Sequence, residues 1–122
     1  MGAKMKLRLT PDMLAAAYMY LRECPPFKAW RLPESDDLAF SVTRHKDRFS
    51  HMVGDCRSTN AEIAVSEHKV GCTRVLMEAM AHEMVHLYQH LHKQDRGGDH
   101  NADFKKRAAR VCIIHGFDPK TF

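Results

Sequence analysis

Apolar residues in this chain recur with a helical period near both ends and alternate with polar ones in between. Met13, Leu14, Ala17, Tyr18 and Leu21 are spaced by threes and fours, the pattern that lays an apolar stripe along one face of a helix. Thr10-Pro11-Asp12 supplies its start: a hydroxyl to cap, a proline suited to the first turn, and a carboxylate at the positive end of the dipole. Pro25-Pro26 ends it. Residues 27–37 read as a loop in which Phe27, Trp30 and Leu32 are partly buried, with Trp30 expected to pack rather than to line a cleft.

Three strands are predicted next. Leu38–His45 is strand-like and alternates from Leu38 through Val42, Lys46-Asp47-Arg48 turns the chain, Phe49–Asp55 runs back as a hairpin partner, and Ala61–Ser66 alternates again. The expected result is a small antiparallel sheet of about three strands, covered by the first helix. A second helix should run from about Arg74 to Lys93 behind a Thr73 cap, with Leu76, Met80, Leu87 and Leu91 against the sheet. Glu78, His82, His86 and His90 step by fours along another face and should look into a cleft. Gln94–Asp99 is a turn whose glycines permit positive φ. A last helix, about Asn101 to His115, buries Phe104, Ala108, Val111 and Cys112 and stops at Gly116. The fold class is α+β: N-terminal helix, sheet, motif helix and C-terminal helix.

At 122 residues and 44% hydrophobic, the chain fits one domain with a core that needs no disulfide. Cys24, Cys56, Cys72 and Cys112 are scattered without a Cys-x-x-Cys pair, so small buried thiols in a reducing compartment are expected and a zinc ribbon is not. No apolar run is long enough to span a membrane, and the basic N-terminus lacks the apolar core of a secretory signal. Lys6 stands where a myristoylation signal wants a hydroxyl. The expected location is intracellular, either cytoplasmic or DNA-associated, with a monomer favoured.

The candidate chemistry lies in the second helix. His82-Glu83-Met84-Val85-His86 is a His-Glu-x-x-His zinc-protease signature. Residues four apart share a helix face, so His82 and His86 can aim two imidazoles at one ion. Glu83, at the edge of that face, can reach a water rather than the metal, which is the position of a general base. Nine histidines make an accidental match easier, but the helical context and a further candidate ligand weigh against accident. A catalytic zinc takes three protein ligands and keeps one position open. The candidates for the third are His90, His92, Asp95, Asp99, His100 and Asp103. His90 sits a turn too far along a straight helix. His100 follows two glycines and can be folded back from a separate element, so it is preferred, ahead of Asp103.

His82-Glu-Met-Val-His-Leu-Tyr88, a turn of about a dozen residues, and His100-Asn-Ala-Asp-Phe104 together resemble the SprT-like (Spartan-type) zinc metalloprotease family. The order of upstream elements is similar too, so the resemblance runs from about residue 10 to 115. It implies a zincin-like minimal metalloprotease domain holding one Zn2+ on His82, His86 and His100, with Glu83 catalytic and Phe104 anchoring the last helix beneath the site. It further implies a protein substrate, typically one bound to DNA. Asn101 departs from the glycine usual in the family, and the expectation is a minimal catalytic domain without a zinc ribbon or long regulatory tail.

Tyr88 should point off the metal face, and Glu78, a turn before His82, could either orient a ligand histidine or be solvated. A net charge of +4 permits an acidic partner without requiring one. Lys105, Lys106, Arg107 and Arg110 make the last helix basic, and Arg44, Lys46, Arg48 and Arg57 cluster around the strand turns. The expectation is weak, sequence-independent DNA binding through Lys105, Lys106, Arg107 and Arg110, aided by Arg44 and Arg48. The competing expectation is a non-catalytic, metal-stabilised module that binds DNA or protein.

Overall fold

Thr10 caps the first helix as its sequence requires: α1, Pro11–Arg22, begins with the Thr10 hydroxyl accepting from the Met13 amide at 3.2 Å. The computed structural model describes residues 7–54, 61–94, 98 and 100–122. The expectations for the first six residues, for Cys56, Arg57, Asp95 and Asp99, and for most of the 94–99 turn lie outside the described residues. After two short 3-10 turns at Phe27–Trp30 and Ser35–Asp37 come β1 (Leu38–Thr43), β2 (Ser50–Gly54) and β3 (Ala61–Ser66). Helices α2 (Thr73–Leu91) and α3 (Ala102–His115) follow. The fold is α+β, with three helices and a three-stranded sheet.

The sheet differs from the expected hairpin. Its order is β1-β3-β2, with β3 parallel to β1 and antiparallel to β2, so it is mixed rather than antiparallel. The chain does reverse between β1 and β2, but β3 lies between them. Burial gives the reason. Ala61, Ile63, Ala64 and Val65 are all buried, so β3 is apolar on both faces and gains most in the centre. β1 and β2 keep partly exposed residues and take the edges. Buried Ser66 fastens the crossing loop by donating to the His45 carbonyl at 2.6 Å.

Helix α2 is the hub of the core, touching α1, α3, β2 and β3. Met80, Ala81, Met84, Val85 and Leu87 are fully buried along it. It starts one residue earlier than expected. Cys72 is the N-cap and makes no side-chain cap bond, while Thr73 is the first helical residue. With so much of its surface packed, the helix does not depend on a polar cap. α3 ends at Gly116, whose φ of 76° is the left-handed value that glycine adopts without a Cβ penalty. Its buried stripe is the expected one: Phe104, Ala108, Val111 and Cys112. Cys24, Cys72 and Cys112 are free thiols, but Cys72 is exposed and only Cys112 is buried. Cys72 stands at the start of α2 on an exposed position. Among the described residues, no helix is long and apolar enough to cross a membrane.

Candidate active site

His82 and His86 lie on one face of α2, as their spacing dictates, and the start of α3 returns His100 to them. The His86 Nε2 atom is 3.2 Å from Nε2 of His82 and 3.2 Å from Nε2 of His100. One ligand atom from each of the three lies within 4.8 Å of the others. Two imidazole nitrogens about 2.0–2.1 Å from one tetrahedral ion would be about 3.3 Å apart, so the observed spacing fits a shared divalent metal. The tautomer fits as well. His82 Nδ1 donates to the main-chain oxygen of Phe122 at 2.7 Å, which leaves Nε2 as the lone-pair nitrogen. Burial pushes the His82 imidazole down to about 4, further lowered by His100 and partly opposed by the Phe122 bond. The ring is therefore neutral at physiological pH, the form a metal requires.

Phe104 forms a platform under the three imidazoles. Its ring is stacked 4.5 Å from His86 and 4.5 Å from His100, and meets His82 edge-on at 5.1 Å. It is buried, so the first turn of α3 is anchored in the core directly beneath the ligand atoms.

Glu83 is buried to 3% exposure in the wall of a cleft of about 590 Å3 that it shares with His82. Its Oε2 accepts from the Ser50 hydroxyl at 2.7 Å, so β2 orients the carboxylate. Phe49, Val75, Ala79 and Phe122 give the cleft apolar walls. Glu78 also lines it, but its Oε1 accepts from the Thr121 hydroxyl at 2.9 Å, so its role is to hold the 118–122 segment.

The polar stripe of α2 divides. Glu78 and His82 face the cleft, whereas the His90 ring packs so closely over Gly54 that a Cβ there would collide with it. His92 stacks on Tyr88 at 4.1 Å. The Asp103 carboxylate accepts from Gln89 at 2.9 Å and Arg107 at 3.0 Å. Burial pushes that carboxyl up, but these two bonds outweigh it and hold it below its usual range. Of the third-ligand candidates that the structure describes, only His100 joins the pair.

The match to known proteins agrees with this arrangement: residues 28–121 match the SprT-like family. The chain belongs to the SprT-like family. No curated protein matches it. The matched span takes in the whole histidine cluster, Glu83 and the 118–121 stretch of the cleft wall.

Three contributors were not visible in the sequence of this SprT-like chain. Ser50 and Phe122 act on Glu83 and His82 from positions 33 and 40 residues away. Gln89 is fully buried and polar, on a helix otherwise buried mainly through apolar residues. An uncharged amide three residues beyond His86 was a signal for it, but only burial makes it legible.

Among the basic candidates, Lys105, Lys106 and Arg110 are exposed on α3. Arg107 is turned inward. It pairs with Asp103 at 3.0 Å, and its guanidinium lies 4.1 Å from the centre of the Tyr88 ring and 5.4 Å from that of Trp30. Trp30 and Tyr88 thus pack on the side of α2 away from the metal ligands. Arg48 is exposed, and Arg44 pairs with Glu67 at 2.7 Å while staying largely in solvent.

Proposed function

We propose that the protein is a zinc-dependent endopeptidase of the SprT-like type. The observation that carries this reading is the convergence of His82, His86 and His100 beside a cleft whose wall contains the Glu83 carboxylate. Three neutral nitrogens and one open position are the donor set of a hydrolytic zinc site. When bound there, the ion supplies Lewis acidity for a carbonyl and acidity for a water. Glu83 takes the proton from the attacking water and delivers it to the leaving amine. Ser50 keeps the carboxylate aimed at the cleft, and the apolar walls receive a substrate side chain and exclude bulk water. Metal analysis paired with a protease assay, on wild type and Glu83→Gln, tests this assignment.

The alternative is a metal-stabilised binding module without catalysis. A structural site needs ligands but no base, whereas a carboxylate lining a cleft beside the ligands is what hydrolysis requires. Glu83 therefore favours the enzyme.

The substrate class we propose is protein, including protein associated with DNA. Lys105, Lys106 and Arg110 stand exposed on the helix that begins beside His100, where phosphate contacts would hold a nearby substrate without reading bases. Binding to a labelled single strand or duplex should be weak and fall steeply with salt, because each neutralised phosphate releases counterions. A Lys105/Lys106/Arg110→Ala variant should lose most of it in a two-salt titration. Binding equal to wild type would remove this face from the account. Arg107→Ala should act differently and lower stability, since it removes the Asp103 pair and the aromatic stacking.

A further inference from the structure

We propose that Gln89 is a positioning residue for the third ligand, holding the His100 segment onto the metal-binding helix from within the core. The role rests on the metal reading of the three histidines. Gln89 lies three residues past His86 on α2 and has no exposed surface. Its amide nitrogen is 2.9 Å from Asp103 Oδ2, 3.0 Å from Asn101 Oδ1 and 3.4 Å from the Gln94 carbonyl. These three acceptors fix the orientation of the amide, because an oxygen in that place would face other oxygens. One group on the ligand helix thus reaches the chain before the loop, the residue directly after His100, and the first turn of α3.

Asn101 completes the clamp. Its Oδ1 also accepts from the Phe104 amide at 2.9 Å, capping α3, and its Nδ2 donates to the Gln94 carbonyl at 2.9 Å. Asn101 stands where the resemblance led us to expect glycine, and glycine could make neither side-chain bond. His100 is itself exposed, so burial does not place its ring. The Phe104 stack and the tether on Asn101 do. Meanwhile Gln89 Oε1 is buried with no partner among the described residues. A buried unpaired oxygen is costly, and methionine would fill the same space without it. The contribution of the amide therefore lies in what its nitrogen holds. A ligand ordered before the metal arrives spares binding the entropy of ordering it.

The test is metal affinity, measured for Zn2+ by competition with a chromophoric chelator, beside thermal unfolding of the metal-free proteins. Gln89→Met should weaken Zn2+ binding by about 10–100-fold, the usual effect of removing a partner that orients a ligand. In a His100→Ala background the same substitution should change affinity little, because the residue acts through His100. A merely structural role would lower affinity equally in both backgrounds, and that result overturns the proposal, as does wild-type affinity in Gln89→Met. Should Gln89→Met fail to fold, Asn101→Ala cuts the clamp from its outer end and must show the same dependence on His100. Wild-type protein that binds no Zn2+ is a different outcome: it removes the metal reading itself, and this role with it.

Discussion

Glu83→Gln should keep its fold and its metal and lose hydrolysis by about 10²–10⁴-fold, the range that general-base catalysis typically contributes. The substitution preserves shape, and the amide oxygen can still accept from the Ser50 hydroxyl that now meets Oε2 at 2.7 Å. What disappears is a group able to take a proton from water. Because Glu83 is not one of the clustered ligands, metal content should be unchanged. Rates on an unfolded protein substrate, with metal measured on the same samples, give the comparison. Cleavage at the wild-type rate by the metal-loaded variant would place the base elsewhere.

The second large effect concerns His100. His100→Ala should weaken metal binding by more than about 100-fold, beyond the range set by removing an orienting partner. The ring is exposed, so the loss should come with little change in the metal-free unfolding temperature. Among the described residues, two other candidates are already committed elsewhere. Asp103 is engaged by Gln89 and Arg107, and His90 is packed over Gly54. Chelator competition would show the loss directly. Wild-type affinity in this variant would mean that another group completes the site.

The parts of this site that were legible in the sequence are those set by local geometry. Four-residue spacing puts His82 and His86 on one face of any straight helix, whatever surrounds it. Thr10 and Gly116 mark helix ends because a cap bond and a left-handed φ are decided within a few residues. His100 was reachable because a turn with glycines can reverse the chain, and Gly98 does take a positive φ of 121°. What failed was long-range. The alternation in residues 38–66 gave three strands but not their neighbours, since pairing is chosen by which strand buries both faces. Ala64 was the missed clue: it breaks the polar positions of β3 with a small buried residue. The basic face of α3 was overcounted for a related reason. Helical position alone cannot show that Arg107 is partly covered by Asp103 and two aromatic rings. The supports of Glu83, His82 and His100, namely Ser50, Phe122 and Gln89, belong to the same class, visible only once the chain is folded.

The most direct measurement is the rate of peptide-bond cleavage through one cycle of metal removal and return. The purified protein is assayed, stripped with a chelator, assayed again, and titrated with Zn2+, with product masses identifying cleaved peptide bonds. Activity should vanish on stripping and return to a plateau at one Zn2+ per chain, with no recovery in His100→Ala over the same titration. Cleavage that persists in the metal-free protein would contradict it.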